Sequence, residues 1–151
     1  EYLNFVRSEL NNINGISDIK ILNDAENGTV FFSYNFANVE ALNSALKYSS
    51  NMEMEPVENA PYFVAKKKTL TYIRHAAPAE ETTEEESSDE YDYMNDFFRW
   101  EFTIEFEANV KKYDVQNDTM VSVSDRKKTF VETGNIFNVA EKECKWVFKT
   151  K

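Results

Sequence analysis

The sequence predicts an α+β domain, an antiparallel sheet of about six to eight strands with two helices packed on one face. Three observations carry that expectation. Apolar and polar residues alternate in short runs, most clearly near the middle, where Trp100, Phe102, Ile104, Phe106, Ala108 and Val110 share one phase. Arg99, Glu101, Thr103, Glu105, Glu107 and Asn109 take the other. Two other stretches repeat apolar residues every three or four positions, the spacing of a helix face. Finally, 12 Phe, 8 Tyr and 2 Trp favour extended backbone, against only 3 Gly and 3 Pro.

Taken in order, Leu3, Val6, Leu10 and Ile13 line one face of a helix over residues 2–13, with Asn14-Gly15 placed for a left-handed cap. Ile19 and Ile21 alternate with polar neighbours, residues 23–28 supply turn chemistry, and Val30, Phe32, Tyr34 and Phe36 alternate again, which reads as a β-hairpin. Asn38 is placed to cap a second helix carrying Val39, Leu42, Ala45 and Leu46, ending near Ser49. Residues 62–65 and 69–73 read as short strands around an exposed Lys66-Lys67-Lys68 turn. The alternation from 99 to 110 reads as one long strand, residues 120–124 and 128–133 as a strand pair around Asp125-Arg126-Lys127, and residues 145–149 as a last strand with Trp146 and Phe148 inward. Asn135 or Asn138 is placed to cap a short helical turn between them. At an offset of 100 residues Thr29, Asn35, Asn38 and Val39 meet Thr129, Asn135, Asn138 and Val139, a pattern that duplication or shared local grammar would both produce.

Charge is concentrated. The chain has 151 residues and a formal charge of −10, yet between His75 and Arg99 lie nine Asp or Glu and no Lys or Arg. The remainder holds 17 basic against 18 acidic residues, so a nearly neutral body carries one acidic insert at about 77–96. Apolar periodicity vanishes there, and so polar a composition does not repay the entropy of ordering a backbone, which predicts a flexible segment inside a single domain spanning 1–151. No run of 18 apolar residues suggests a spanning helix. The first residue is Glu1 rather than Met, as in a chain trimmed of an export signal or lipid anchor.

Candidate chemistry is sparse. The acidic run lacks the turn glycine of a calcium loop, there being no Gly between Gly28 and Gly134, and Asp24, Glu26 and Asn27 are ordinary hairpin-turn residues. His75 is the only histidine and Cys144 the only cysteine, which excludes two-histidine metal sites, intramolecular disulfides and cysteine zinc cages within one chain. Neither has a nucleophile motif around it, so a surface histidine and a semi-buried structural thiol are expected. Glu101, Glu105 and Glu107 lie on one strand face, where successive alternate positions stand about 6–7 Å apart, a spacing from which glycosidase-like carboxylate pairs can be drawn, but on the polar phase they are expected in solvent. Lys66–Lys68, Lys111-Lys112 and Arg126–Lys128 sit at expected strand ends, and the near-neutral body argues against nucleic acid. Tyr91, Tyr93, Phe97 and Phe98, beside Met94 at the end of the acidic segment, are aromatics outside any strand phase and are the candidate contact with a partner.

The stretch "ISDIKILNDAENGTVFFSYNFANVEALNSALK" (16–47), with "FRWEFTIEFEANVKK" and "KWVFK" later and 16 asparagines in all, resembles the small lipoproteins exported by Bacteroidetes. That resemblance implies a periplasmic or surface protein of the cell envelope, lipid-anchored through a lipobox cysteine upstream of Glu1, and carries no activity or residue role with it. The expected function is therefore a non-enzymatic interaction or binding module of the envelope, with no catalytic, cofactor or metal residues. Its partner would be a protein or small molecule, and membrane contact would come only through such an anchor. The alternative is a small-molecule or lipid-binding domain with an aromatic-lined pocket; a hydrolase ranks third.

Overall fold

A computed structural model describes residues 1–50, 54–76, 99–115, 121–124, 126–135 and 143–150. Among them are helices α1 (Tyr2–Asn12) and α2 (Val39–Ser49) and nine strands: β1 (Ile16–Asp24), β2 (Thr29–Phe36), β3 (Tyr62–Lys66), β4 (Thr69–Arg74), β5 (Arg99–Glu105), β6 (Lys112–Val115), β7 (Val121–Val123), β8 (Thr129–Asn135) and β9 (Cys144–Lys149). The class is α+β with antiparallel sheets. The strands, however, form three sheets where one was expected, ordered β1-β2, β3-β4-β9-β6 and β5-β8-β7. The chain groups into two compact units, Glu1–Val64 and Ala65–Lys151, the boundary falling in sequence inside β3. The acidic insert at 77–96 and the expected helical turn after Asn135 lie outside the described residues.

In the first unit the two helices contact the β1–β2 hairpin. Val6, Leu10 and Ala45 are fully buried, and Phe5, Ile19, Ile21, Phe32 and Tyr34 pack around them. The cross-strand partners Ile21 and Phe32 thus face the helices. Asn38 caps α2 as its position suggested, its Oδ1 accepting from Ala41 N at 2.8 Å. The end of α1 differs from the expectation: Ile13, in extended conformation, is the cap. Gly15 follows with φ +93°, and a Cβ there would lie 3.2 Å from Ala41 Cβ and 3.3 Å from Ala37 Cβ. A glycine is needed both for that backbone conformation and for α2 to approach so closely. Asn43 of α2 also takes the place of a strand partner for Phe63, accepting from its N at 2.7 Å and donating to its O at 2.9 Å.

The second unit is a layered aromatic core. Trp146 and Phe148 point inward from β9 as expected. Phe130 of β8 and Phe148 of β9 meet edge to face at 4.7 Å, and Tyr72 of β4 stacks on Phe102 of β5 at 5.0 Å. These rings join residues of the second and third sheets. The long alternation after Arg99 keeps its phase, with Phe102, Ile104 and Phe106 half-buried and Glu101, Thr103 and Glu105 exposed, but the strand stops at Glu105. Phe106 N and Val110 N donate to Lys128 O and Lys127 O, the backbone bends between them, and the chain resumes as β6 beside β9 in another sheet. The inward phase of β5 is kept as far as the buried Val110, but Ala108 in the bend is exposed, and β6 turns the other phase, Tyr113 and Val115, inward. Of the two windows related by the 100-residue offset, 29–36 is one strand of a two-stranded sheet, and 129–135 is the middle strand of three.

Candidate interaction surface

The expected partner contact, Tyr91, Tyr93, Phe97 and Phe98, lies outside the described residues. Glu101, Glu105 and Glu107 are exposed, and Lys128 Nζ lies 3.7 Å from Glu105 Oε1. His75 is exposed at the end of β4, whereas Cys144 is buried opposite Arg74. In the β1–β2 turn Asp24 accepts from Asn27 through N at 3.2 Å and Nδ2 at 2.7 Å. Those bonds, the side-chain one first, hold the carboxyl below its ordinary pKa. Among the described residues no three His, Cys, Asp or Glu side chains group as a metal site.

The sequence reading missed a buried ion pair in the second unit. Arg74 Nη1 and Nη2 donate to Glu132 Oε2 and Oε1 at 2.7 and 2.9 Å, a two-pronged bond between β4 and β8 with both side chains out of solvent. The signal was legible: each lies two residues after an inward aromatic, Tyr72 and Phe130, and so falls on the buried phase. Burial alone would push the Arg74 guanidinium toward losing its proton, but the bonds to Glu132 and the neighbouring Cys144 and Tyr72 reverse this and raise its pKa. The group is a permanent cation. Burial chiefly, with Cys144 and Glu132 adding to it, raises the Tyr72 phenol, and burial also raises Tyr2 and Tyr34.

An alkaline limit follows. A phenol whose pKa is raised in the fold contributes stability that is fully present below the unfolded value, about 10, and is lost as pH rises beyond it. Urea midpoints are expected to show no tyrosine contribution to their pH dependence up to about pH 9 and to fall above about pH 10. Phenolate absorbance should show the Tyr72 and Tyr34 fraction appearing only with unfolding.

What faces solvent is the outer side of the β1–β2 hairpin. Leu22 and Phe31 are direct cross-strand partners, pointing away from the helices, and they are 63% and 53% exposed. The edges of the hairpin differ. β1 is interrupted between Ser17 and Lys20 by a bulge with Asp18 at φ +52°, and it carries three charged residues, Asp18, Lys20 and Asp24. β2, TVFFSYNF, has no charge, no proline and no bulge, and no strand among the described residues pairs with its outer edge. Bulges and charges are the usual means of blunting an edge; β2 has neither. Compared with protein-family models, curated proteins and solved structures, the chain matched nothing.

Proposed function

We propose that the protein is a non-enzymatic interaction module of the cell envelope, which engages a protein partner through the outer face and free edge of the β1–β2 hairpin. The observation that carries this reading is the exposed Leu22–Phe31 pair beside the uncharged edge of β2. An added strand would satisfy the open backbone groups of β2, and its side chains would cover Leu22 and Phe31. The partner segment is thus extended and apolar on one side. The placement in the envelope rests on the resemblance of residues 16–47 and the later stretches alone. The unit-two aromatics pack on one another ring to ring, which favours core packing over a pocket.

Two substitutions at neighbouring positions separate contact from folding. Phe31→Lys, on the outer face, is expected to change unfolding free energy by no more than about 0.5 kcal/mol, as exposed positions do. Phe32→Lys sets a charge against Val6, Leu10 and Ala45 and should cost about 2 kcal/mol or more. Urea denaturation of both variants checks this. Equal losses would show that Phe31 is held by the fold rather than kept for a partner.

A further inference from the structure

Four basic segments far apart in sequence meet at one end of the second unit. The β3–β4 turn carries Lys66, Lys67 and Lys68; Lys111 and Lys112 open β6; the β7–β8 turn carries Arg126, Lys127 and Lys128; and β9 ends on Lys149. Backbone hydrogen bonds link each to the next. Thr150 N donates to Lys68 O at 2.9 Å, Lys111 N to Lys149 O at 2.8 Å, and Val110 N to Lys127 O at 2.9 Å. Lys112 and Lys149 are also register partners. Of these nine side chains eight are exposed and Lys128 is half-buried. Among the described residues the carboxylate paired with one of them is Glu105, 3.7 Å from Lys128 Nζ; exposed Asp114 lies two residues from Lys112 on the same face of β6, exposed Glu107 precedes Lys111 in the bend, and Asp125 lies outside the described residues.

The backbone supplies an independent observation. Lys67 and Lys127 have φ of +53° and +51°, the left-handed region in which Gly, Asn or Asp is the low-cost residue. A lysine at both hairpin tips is conformationally unfavourable and, being exposed, gains no packing. Positive charge is what these side chains bring to those positions.

We propose that this end face docks the protein on an anionic bilayer through its phosphate-bearing headgroups. Eight of the nine groups are lysines, point charges on mobile stems that adapt to a fluid array of headgroups; the bidentate fork of arginine, suited to base edges, occurs once. Contribution from four chain segments gives a broad contact rather than the single helix or ribbon that enters a nucleic-acid groove. Among the described residues the exposed large apolar side chains, Leu22, Phe31, Phe36 and Met54, all belong to the first unit, so the described residues of this end offer no exposed aromatic for base stacking and no wedge for membrane insertion. Contact is electrostatic and salt-reversible. The overall charge of −10 does not prevent it, because screening over about 10 Å at 0.1 M salt leaves the local cations to decide. This reading goes beyond the hairpin site, involves the other unit, and does not depend on it.

Sedimentation of the full chain with vesicles tests the proposal. At about 0.1 M salt it should bind phosphatidylcholine vesicles containing phosphatidylglycerol, not pure phosphatidylcholine, and should come off near 1 M. Lys67→Asn with Lys127→Asn should weaken binding about fivefold for each lysine removed. Asn suits the left-handed backbone, so this variant should melt at or above the wild-type temperature. Lys20→Gln with Lys47→Gln, in the first unit, should bind as wild type. Equal binding to neutral vesicles, no binding to anionic ones, indifference to the Lys67 and Lys127 changes, or tighter binding to duplex DNA than to anionic vesicles would each overturn it.

Discussion

Glu132→Ala is expected to lower the stability of the second unit by about 3–5 kcal/mol, the usual cost of leaving one member of a buried ion pair uncompensated. The guanidinium of Arg74 is 7% exposed and bonded by two nitrogens to Glu132, and its raised pKa keeps it charged over the whole working pH range. Removing the carboxylate therefore leaves a buried cation, not a neutral side chain. The double substitution Arg74→Met with Glu132→Leu tells a different story, because it removes both desolvated charges and fills their volume with apolar atoms. Its expected stability is at or above wild type. Urea unfolding followed by near-ultraviolet circular dichroism of the aromatic core reads both. A double variant as unstable as Glu132→Ala would mean that the pair contributes far more than compensation of its own burial.

Trp146→Ala is the second large effect, again about 3–5 kcal/mol, through loss of the largest fully buried side chain among the described residues and the cavity it leaves. Trp146 is fully buried, its ring lies 5.1 Å from Tyr72 and 6.3 Å from Phe102, and its strand is paired on one side with β4 and on the other with β6. Its indole Nε1 is the buried side-chain polar atom that finds no acceptor among the described residues. Trp146→Phe keeps most of the apolar contact and removes that donor, so it should cost less than about 1.5 kcal/mol. The gap between the two variants measures packing. A similar loss for both would show that the indole nitrogen, rather than ring volume, matters most at this position.

Both changes lie in the second unit and leave the hairpin surface intact, which makes them structural controls for the proposed interaction. They also show what a single sequence reveals. Period-two alternation located β2, β5 and β9 and assigned Phe102, Trp146 and Phe148 to the interior, because a half-buried strand must place successive side chains on opposite faces. Carried two residues on from Tyr72 and Phe130, the same rule puts Arg74 and Glu132 on the inward phase, a signal the expectation passed over because charge argues for the surface; pairing across the core reconciles the two. Sheet membership was not legible. Whether Val110 continues β5 or turns toward β6 depends on Lys127 and Lys149, residues that local periodicity does not bring together. For the same reason the lysine clusters read as separate strand ends, and their meeting at one end follows from β9 lying between β4 and β6. Length pointed to one domain, while the chain groups into two compact units, the first around Val6, Leu10 and Ala45 and the second with Tyr72, Phe130, Trp146 and Phe148 buried. The hairpin surface had a local trace: adjacent apolar pairs, Ile21-Leu22 and Phe31-Phe32, cannot both face one side of a strand.

The central claim is that the outer face of the β1–β2 hairpin meets a protein partner, and site-specific photocrosslinking in the producing cell tests it most directly. The variants are Phe31→p-benzoylphenylalanine, Leu22→p-benzoylphenylalanine and, as a solvent-facing comparison on β5, Glu101→p-benzoylphenylalanine. Irradiation should give one discrete protein adduct shared by positions 22 and 31 and absent at 101, lost when Ser33, on the same face of β2, is changed to Lys. Equal adduct patterns at all three positions, or none at 22 and 31, would contradict it.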